Sequence, residues 1–187
     1  MVYYKVLSKF YEFFGDTMTQ QCIHFINKNS KILDLGCGSG IVTKKFQDYF
    51  HSKIIGIDIV DKRVIEIPFQ LYDGKNIPFN NDSFDVVLIS FVLHHTKNHE
   101  LLLREARRVC QDKIIIYEDL PEGFFPKLFS KLHGISFAKI FQKNNYYGSF
   151  KTGQEWKELF NKLNLKLIFE RKIPPTFLAR KLFVLEK

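Results

Sequence analysis

The stretch that most constrains this chain is Gly36-Cys37-Gly38-Ser39-Gly40, set between an apolar run, Lys31 to Leu35, and a helical stretch, Ile41 to Phe50. Glycines at alternate positions let the backbone turn sharply and let a ligand approach with no Cβ in the way. A strand that feeds a helix through such a turn is the opening of a βαβ unit. In a doubly wound sheet that loop lies at the carboxyl end of the strand, where ligands bind.

The rest of the first two thirds repeats the unit. Lys53 to Asp58, Phe69 to Asp73, Phe84 to Ser90 and Lys113 to Glu118 are short runs, most of them nearly continuous in apolar residues, and Glu100 to Val109 has a helical period. Such strands, alternating with helices, indicate a parallel sheet buried on both faces and an α/β fold. The first 28 residues read as helix, with Tyr3, Val6, Leu7, Phe10 and Phe14 on one stripe. Gly15-Asp16 is expected to break it before a second turn through Met18, Cys22 and Ile26. In the helix after the glycines, Ile41, Val42, Phe46 and Tyr49 are expected on one side. Thr152 to Glu155 has the form of a capping box, opening a helix with Trp156, Leu159, Phe160 and Leu163 as its buried stripe. Leu165 to Glu170 and Ala179 to Glu186, around Pro174-Pro175, read as two strands joined by a turn. With no repeat, linker or low-complexity tract in 187 residues, a single domain is expected.

Composition removes several classes. Hydrophobic residues at 45% and charged residues at 26% exclude a disordered or collagenous chain. No apolar run approaches the roughly 20 residues of a membrane span, and the N-terminal residues lack the order of a signal peptide. Cys22, Cys37 and Cys110 are odd in number and scattered, so neither a disulfide framework nor a C-x-x-C metal pair is expected, and reduced cytoplasm is the expected setting. The net charge of +8 is uneven: residues 1–119 hold 15 Lys and Arg against 15 Asp and Glu, whereas residues 120–187 hold 13 against 5. Such an excess marks either a surface for anions or lysines on solvated helix faces.

The residues around the glycines separate two cofactor classes. A dinucleotide fingerprint wants G-x-G-x-x-G/A, but Ile41 stands where the third small residue should be. Asp34, two residues before the first glycine, sets a carboxylate beside a loop meant for pyrophosphate. A carboxylate suits a cation, such as the ammonium of a methionine moiety. Asp58 ends the second strand 18 residues after Gly40, where it can accept both hydroxyls of a ribose. S-adenosylmethionine fits these features and NAD fits poorly.

The run LDLGCGSG, then GIDI, then YDGKNIPFNNDSFDVVLISFVLHH resembles the class I S-adenosylmethionine-dependent methyltransferases, in particular their small-molecule and quinone-type branch. The similarity covers about residues 30–119. It implies a Rossmann-like, doubly wound, seven-stranded sheet, mostly parallel with the last strand antiparallel, flanked by helices. Residues 30–119 would be the cofactor-binding core, 1–28 and 120–163 helical lid segments, and 164–187 the closing strand pair. Gly36 and Gly38 would pass under the cofactor, Asp34 reach its amino group, Asp58 hold the ribose and Ile59 pack on adenine. Asp73 would accept from the adenine amino group and Gly74 offer backbone, while the backbone at Ser90 and Phe91 would line the methionine end. No metal is implied. Two departures stand out: Asp58 to Asp73 spans only 15 residues, which abbreviates the second helix to a turn, and Cys110 to Lys113 replaces a Pro-Gly-Gly loop.

Methyl transfer from a sulfonium is a displacement in which positioning supplies much of the rate. A base is needed only where the accepting atom must lose a proton. His94 and His95 follow the fourth strand; His95 is the candidate base, or else a hydrogen-bonded buttress of the site, and Glu118 and Asp119 also face the cleft. Ser90-Phe-Val-Leu-His lacks the Pro-Pro-aromatic run of amino-methylating nucleic-acid enzymes, and Cys110 is misplaced for attack on a base, so DNA is not expected as the acceptor. The expected acceptor is small or lipid-like, with peripheral membrane contact open. RNA, protein, and a non-catalytic cofactor-binding role stay open as alternatives. Aromatics at Phe10, Phe13, Phe14, Phe124, Phe125, Phe129, Phe137, Phe141, Tyr146 and Tyr147 either line an apolar pocket or are core. Lys127, Lys131, Lys139 and Lys143 recur at intervals of 4, 8 and 4, which would suit an anionic acceptor if they share a face.

Overall fold

The apolar runs assemble into one seven-stranded sheet. In the computed structural model, which describes residues 8–121, 149–174 and 179–187, the strands are β1 (Lys31–Leu35), β2 (Lys53–Asp58), β3 (Phe69–Leu71), β4 (Phe84–Ser90), β5 (Cys110–Asp119), β6 (Lys166–Ile173) and β7 (Arg180–Glu186). Their order is β3-β2-β1-β4-β5-β7-β6. β1 to β5 are mutually parallel, and β7 runs antiparallel to both β5 and β6. Chain order therefore reverses between β1 and β4, and a crevice opens there at the carboxyl ends of the strands.

Side chains alternate between the two faces of each strand, so both faces need cover. Helices α1 (Ser8–Gln21) and α2 (Ile41–Phe50) cover one, burying Phe14, Met18, Phe46 and Phe50, with Cys22 in the turn after α1, against Ile32, Ile54, Val86, Leu88, Ile115 and Val184. On the other face, α3 (His99–Val109) and α4 (Gly153–Lys162) bury Leu102, Leu103, Ala106, Trp156 and Phe160 against Leu33, Leu35, Val87, Ile89, Ile116 and Phe183. The capping box is present: the Thr152 side chain accepts from the Glu155 N–H, and the Glu155 carboxylate accepts from the Thr152 N–H at 2.7 Å.

Three local expectations are corrected. Gly15-Asp16 does not break the N-terminal helix, because α1 runs through it. Gly15 faces α2 instead, and a Cβ there would lie 2.9 Å from Lys45 Cγ. It is a site of close helix approach. On α2 Phe46 is buried as expected, but its buried companion is Phe50 rather than Tyr49, which is 36% exposed. The stretch from Cys110 is no connection: β5 starts there, pairing Phe84 with Cys110 before a register shift. The expected turn in place of the second helix is observed, since residues 59–68 contain no helix. Tyr3, Val6, Leu7, the Phe10 side chain, Lys127, Lys131, Lys139, Lys143 and the aromatics between 124 and 147 lie outside the described residues.

Six C-terminal cations are paired: Lys157, Lys166 and Lys181 meet Glu170 and Glu186 of the same segment, and Lys162, Arg180 and Lys187 reach back to Glu100, Asp119 and Asp82 of the balanced first 119 residues.

Candidate active site

The glycine turn leaves β1 with all three glycines at positive φ: Gly36 at 81°, Gly38 at 52° and Gly40 at 78°. The Gly36 N–H donates to the Ile57 carbonyl at 2.8 Å, tying the loop to the end of β2. Space distinguishes the three. A Cβ on Gly36 would overlap Val92 Cγ2 and sit 3.0 Å from its Cγ1; one on Gly40 would lie 3.2 Å from Ile65 and Ile67. A Cβ on Gly38 would meet no atom within 4 Å among the described residues. Gly36 and Gly40 are thus packing glycines, while Gly38 presents bare backbone to open space.

Two carboxylates flank that backbone. Asp58, ending β2, accepts from the Gly38 N–H at 2.9 Å and from its neighbour Ile59 N–H at 2.7 Å, and its partial burial pushes its carboxyl upward. Asp34 is 1% exposed and accepts the Thr43 hydroxyl of α2 at 2.6 Å through one oxygen. Its other oxygen, Oδ1, is buried with no hydrogen-bond partner among the described residues. Burial first, and Asp58 beside it, push the Asp34 carboxyl up to about 7 against the pull of Thr43. A buried carboxylate oxygen without a donor is costly, and a cationic donor would satisfy it. The residues present therefore fit a ligand with an ammonium near Asp34 and hydroxyls near Asp58.

On the far side of β2, Ile59 is 47% exposed, and its Cγ2 would lie 3.0 Å from a Cβ on Gly74, which has φ 76°. Asp73 is exposed and engaged by its own turn: Oδ1 accepts from the N–H groups of Lys75 and Asn76, both at 2.7 Å, and Oδ2 from Asn76 Nδ2 at 2.8 Å. These bonds hold its carboxyl below the usual range. The Asp-Gly pair is first of all a turn. Tyr72, absent from the sequence reading, is half-buried there, its phenol pushed up by burial and by Asp58 and Asp73.

Across the switch point, β4 ends at Ser90, whose Oγ is buried without a partner among the described residues. Phe91 follows at φ 57°, a conformation bulky residues rarely hold. Its N–H donates to the Tyr117 carbonyl at 2.8 Å, and its ring lies 5.6 Å from Phe14 of α1. The Arg180 guanidinium sits over both rings, at 5.2 Å from Phe14 and 5.4 Å from Phe91, and bonds Asp119 at 2.9 Å. A 3-10 turn, Leu93–His95, carries the two histidines. His94 is buried, its Nδ1 hydrogen-bonded to Glu118; His95 is half-buried, with ring centroids 4.0 Å from His94. Burial pulls the His94 imidazole down, but the Glu118 charge and hydrogen bond more than offset it, and the net shift is upward. The partnership spans 24 residues of chain and leaves no local signal; only the adjacency of β4 and β5 makes it.

Two cavities of about 420 and 270 Å³ lie elsewhere, lined by Lys31, Lys53 and Phe84 or by Asn29 and Asp85, at the amino ends of the strands. Among the described residues no group of three or more His, Cys, Asp or Glu side chains is arranged to hold a metal ion.

A switch-point crevice with bare glycine backbone between two buried or half-buried carboxylates defines an α/β protein built for a nucleoside ligand carrying a cation. Comparison with known proteins narrows the class. Residues 33–116 match the family model of a methyltransferase domain. The chain is 33% identical over 113 residues to the demethylmenaquinone methyltransferase of Thermotoga maritima, covering 54% of this chain and 49% of that one. It is also 33% identical over 95 residues to the ubiquinone/menaquinone biosynthesis C-methyltransferase of Burkholderia multivorans, covering 43% and 39%. This chain therefore spans about half or less of the length of these relatives. The solved structure of magnesium protoporphyrin IX methyltransferase from Synechocystis PCC 6803, with bound SAH, shares the fold at a TM-score of 0.70 and 12% identity, over 94% of this chain and 83% of that one. Residues 33–116 thus resemble a methyltransferase domain, on a fold that a solved S-adenosylhomocysteine-bound methyltransferase shares.

Proposed function

We propose that the protein transfers a methyl group from S-adenosylmethionine to a small, lipid-like acceptor of the quinol type. The observation that carries this is the pairing, at the switch point, of Gly38 backbone and the Oδ1 of buried Asp34, which among the described residues have open space and no hydrogen-bond partner respectively. When bound, the cofactor supplies a methyl group made electrophilic by its sulfonium. Gly38 backbone would lie beneath it, with Gly36 closing the turn. Asp34 would take the ammonium, and Asp58, already oriented by two N–H donors, would take the ribose hydroxyls. Ile59 and Gly74, where an added Cβ would crowd Ile59, would form the adenine wall with Asp73 shaping its turn, and the backbone at Ser90 and Phe91 would line the methionine end. His95 would flank the reacting centre from the 3-10 turn.

Two observations support an apolar acceptor. The named quinone-pathway relatives act on such molecules, and α1 reaches the carboxyl edge of the sheet, where Phe14 meets Phe91 while Phe13 stands 70% exposed. In this reading residues 1–28 and 120–163 are lid segments. No helix among the described residues is long and apolar enough to cross a membrane; a cytoplasmic setting, with contact at a membrane surface, belongs to the proposal.

Calorimetry tests it directly. S-adenosylhomocysteine should bind at micromolar to sub-millimolar concentration and NAD should not. Asp58→Ala should weaken binding by about 1–3 kcal/mol, because two hydroxyls lose a charged acceptor. No S-adenosylhomocysteine binding near millimolar refutes the reading. Labelled methyl transfer to a demethylated naphthohydroquinone, with transfer RNA and bulk protein as competing acceptors, then decides the acceptor class.

A further inference from the structure

The turn that carries Asp73 and Gly74 is an arch with two feet. At its start the Tyr72 N–H donates to the Asp58 carbonyl at 3.1 Å. At its end the Ile77 N–H donates to the Glu105 carboxylate of α3 at 2.9 Å, and the Ile77 side chain is buried. Between the feet, Asp73, Lys75 and Asn76 are exposed and Gly74 is half-buried. A stretch with so little packing of its own takes its shape from the scaffold that anchors it.

The second foot rests on one guanidinium. Arg108, a turn further along α3, grips Glu105 bidentately, Nε to one oxygen and Nη2 to the other, both at 2.7 Å. Its remaining N–H groups go to the loop itself: to the Ile77 carbonyl at 2.8 Å, the Phe79 carbonyl at 2.7 Å and Asn81 Oδ1 at 3.1 Å. Every donor of the side chain is thereby used. The Asp82 and Ser83 N–H groups then close the loop onto the Arg108 and Val109 carbonyls, at 3.0 and 2.9 Å. Glu105 and Arg108 are 16% and 31% exposed, so water screens the fork only in part.

Asp73 depends on this foot. Its Oδ1 accepts the Lys75 and Asn76 N–H groups, and its Oδ2 accepts Asn76 Nδ2. A carboxylate offers about four acceptor positions. The position left over is on Oδ2, and Asn76, the residue before the anchored Ile77, fixes its direction. The Arg108 hydrogen bond holds the Glu105 carboxyl below its usual range although the Asp73 charge acts the other way, so the two carboxylates feel one another.

We propose that Glu105, held by Arg108, is a positioning residue for adenine recognition: through Ile77 and Asn76 it aims the remaining acceptor of Asp73 at the adenine amino group. The inference rests on the reading above, which sets adenine against this turn. An arch ordered before the ligand arrives spares binding the cost of ordering it. With the second foot released, Asp73 can still complete its own turn but no longer holds a lone pair at a fixed place. The loss falls on the hydrogen bond to the amino group, and not on the hold of Asp58 on the ribose.

Calorimetry on the full chain with two probes, S-adenosylhomocysteine and S-inosylhomocysteine, tests this. In the second an oxo group replaces the amino group, so the wild type should bind the first about tenfold or more tightly. Glu105→Ala should bring that ratio to within about threefold of unity while leaving S-inosylhomocysteine affinity within about twofold of wild type. Asp73→Ala should lower the ratio alike, and adding Glu105→Ala to it should change S-adenosylhomocysteine affinity by less than about twofold, since the two act as one unit. If Glu105→Ala does not fold, Arg108→Lys, which keeps the charge and gives up the fork, decides by the same ratio, expected to fall about threefold or more. A general loosening of the site would weaken both probes equally; an unmoved ratio, or additive losses with Asp73→Ala, overturns the positioning role and leaves the cofactor reading standing. A wild type that binds both probes equally removes Asp73 from adenine recognition and this inference with it. A wild type that binds neither probe removes the cofactor reading as well.

Discussion

Alanine at Gly36 and alanine at Gly38 are the same substitution two residues apart, and the structure assigns them opposite consequences. Both positions have positive φ, at 81° and 52°. A side chain held in that region costs roughly 1–2 kcal/mol. For Gly38→Ala that is the whole cost to the ligand-free protein, since the new methyl meets nothing within 4 Å among the described residues. With roughly 2–4 °C of melting temperature lost per kcal/mol in a chain of this size, the drop should be about 2–8 °C. Gly36→Ala adds overlap with a branched, stiff side chain, Val92. Overpacking typically costs about 1–3 kcal/mol more, for a sum of about 2–5 kcal/mol, a large share of a domain's marginal stability. Adding Val92→Ala to Gly36→Ala should recover the steric part and leave the backbone part, a coupling readable in a double-mutant cycle. Binding should rank the other way. Gly38→Ala should lower S-adenosylhomocysteine affinity tenfold or more while the fold survives, because its methyl occupies the space where the ligand belongs. Urea unfolding without ligand and calorimetry with it measure both. A Gly38→Ala protein with wild-type affinity, or a Gly36→Ala protein as stable as Gly38→Ala, would show that the assignment of packing and ligand glycines is wrong.

Asp34→Asn should stabilise the ligand-free protein at alkaline pH. Burial raises the native carboxyl from 3.8 to about 7, so the native state holds a proton there that the unfolded chain has lost, and stability falls as pH rises through that window. The variant lacks this loss; its advantage over wild type, on the order of a few kcal/mol at pH 8, should shrink toward zero near pH 4, and equal urea midpoint differences at both pH values would contradict the assignment. Cofactor binding should fall in the same variant. Thr152→Ala removes the side-chain acceptor of the Glu155 N–H and should cost about 1 kcal/mol, seen as a melting temperature lower by about 2–4 °C, whereas Thr152→Ser should stay near wild type.

Much of this protein was legible in the order of its residues. The strands appear as apolar runs, the turn as alternating glycines and the cap of α4 as Thr152 and Glu155, because each depends on groups within a few residues of one another. The switch-point crevice follows as well, since a glycine turn after a buried strand has few places to lie. What tertiary structure decided are the matters that depend on a distant neighbour. Gly15 reads as a break and is a point where α2 approaches α1. Gly36 and Gly38 read alike until Val92 fills the space beside one of them. Asp73 is expected to meet adenine, and the tertiary structure adds that its carboxylate also organises its own turn through Lys75 and Asn76. Most of all, His94 and Glu118 carry no mark of partnership, since nothing in a spacing of 24 residues distinguishes a contact from a separation. Strand order placed β5 beside β4 and brought both groups to one end of the sheet, out of water, where a carboxylate can hold an imidazole in a single orientation.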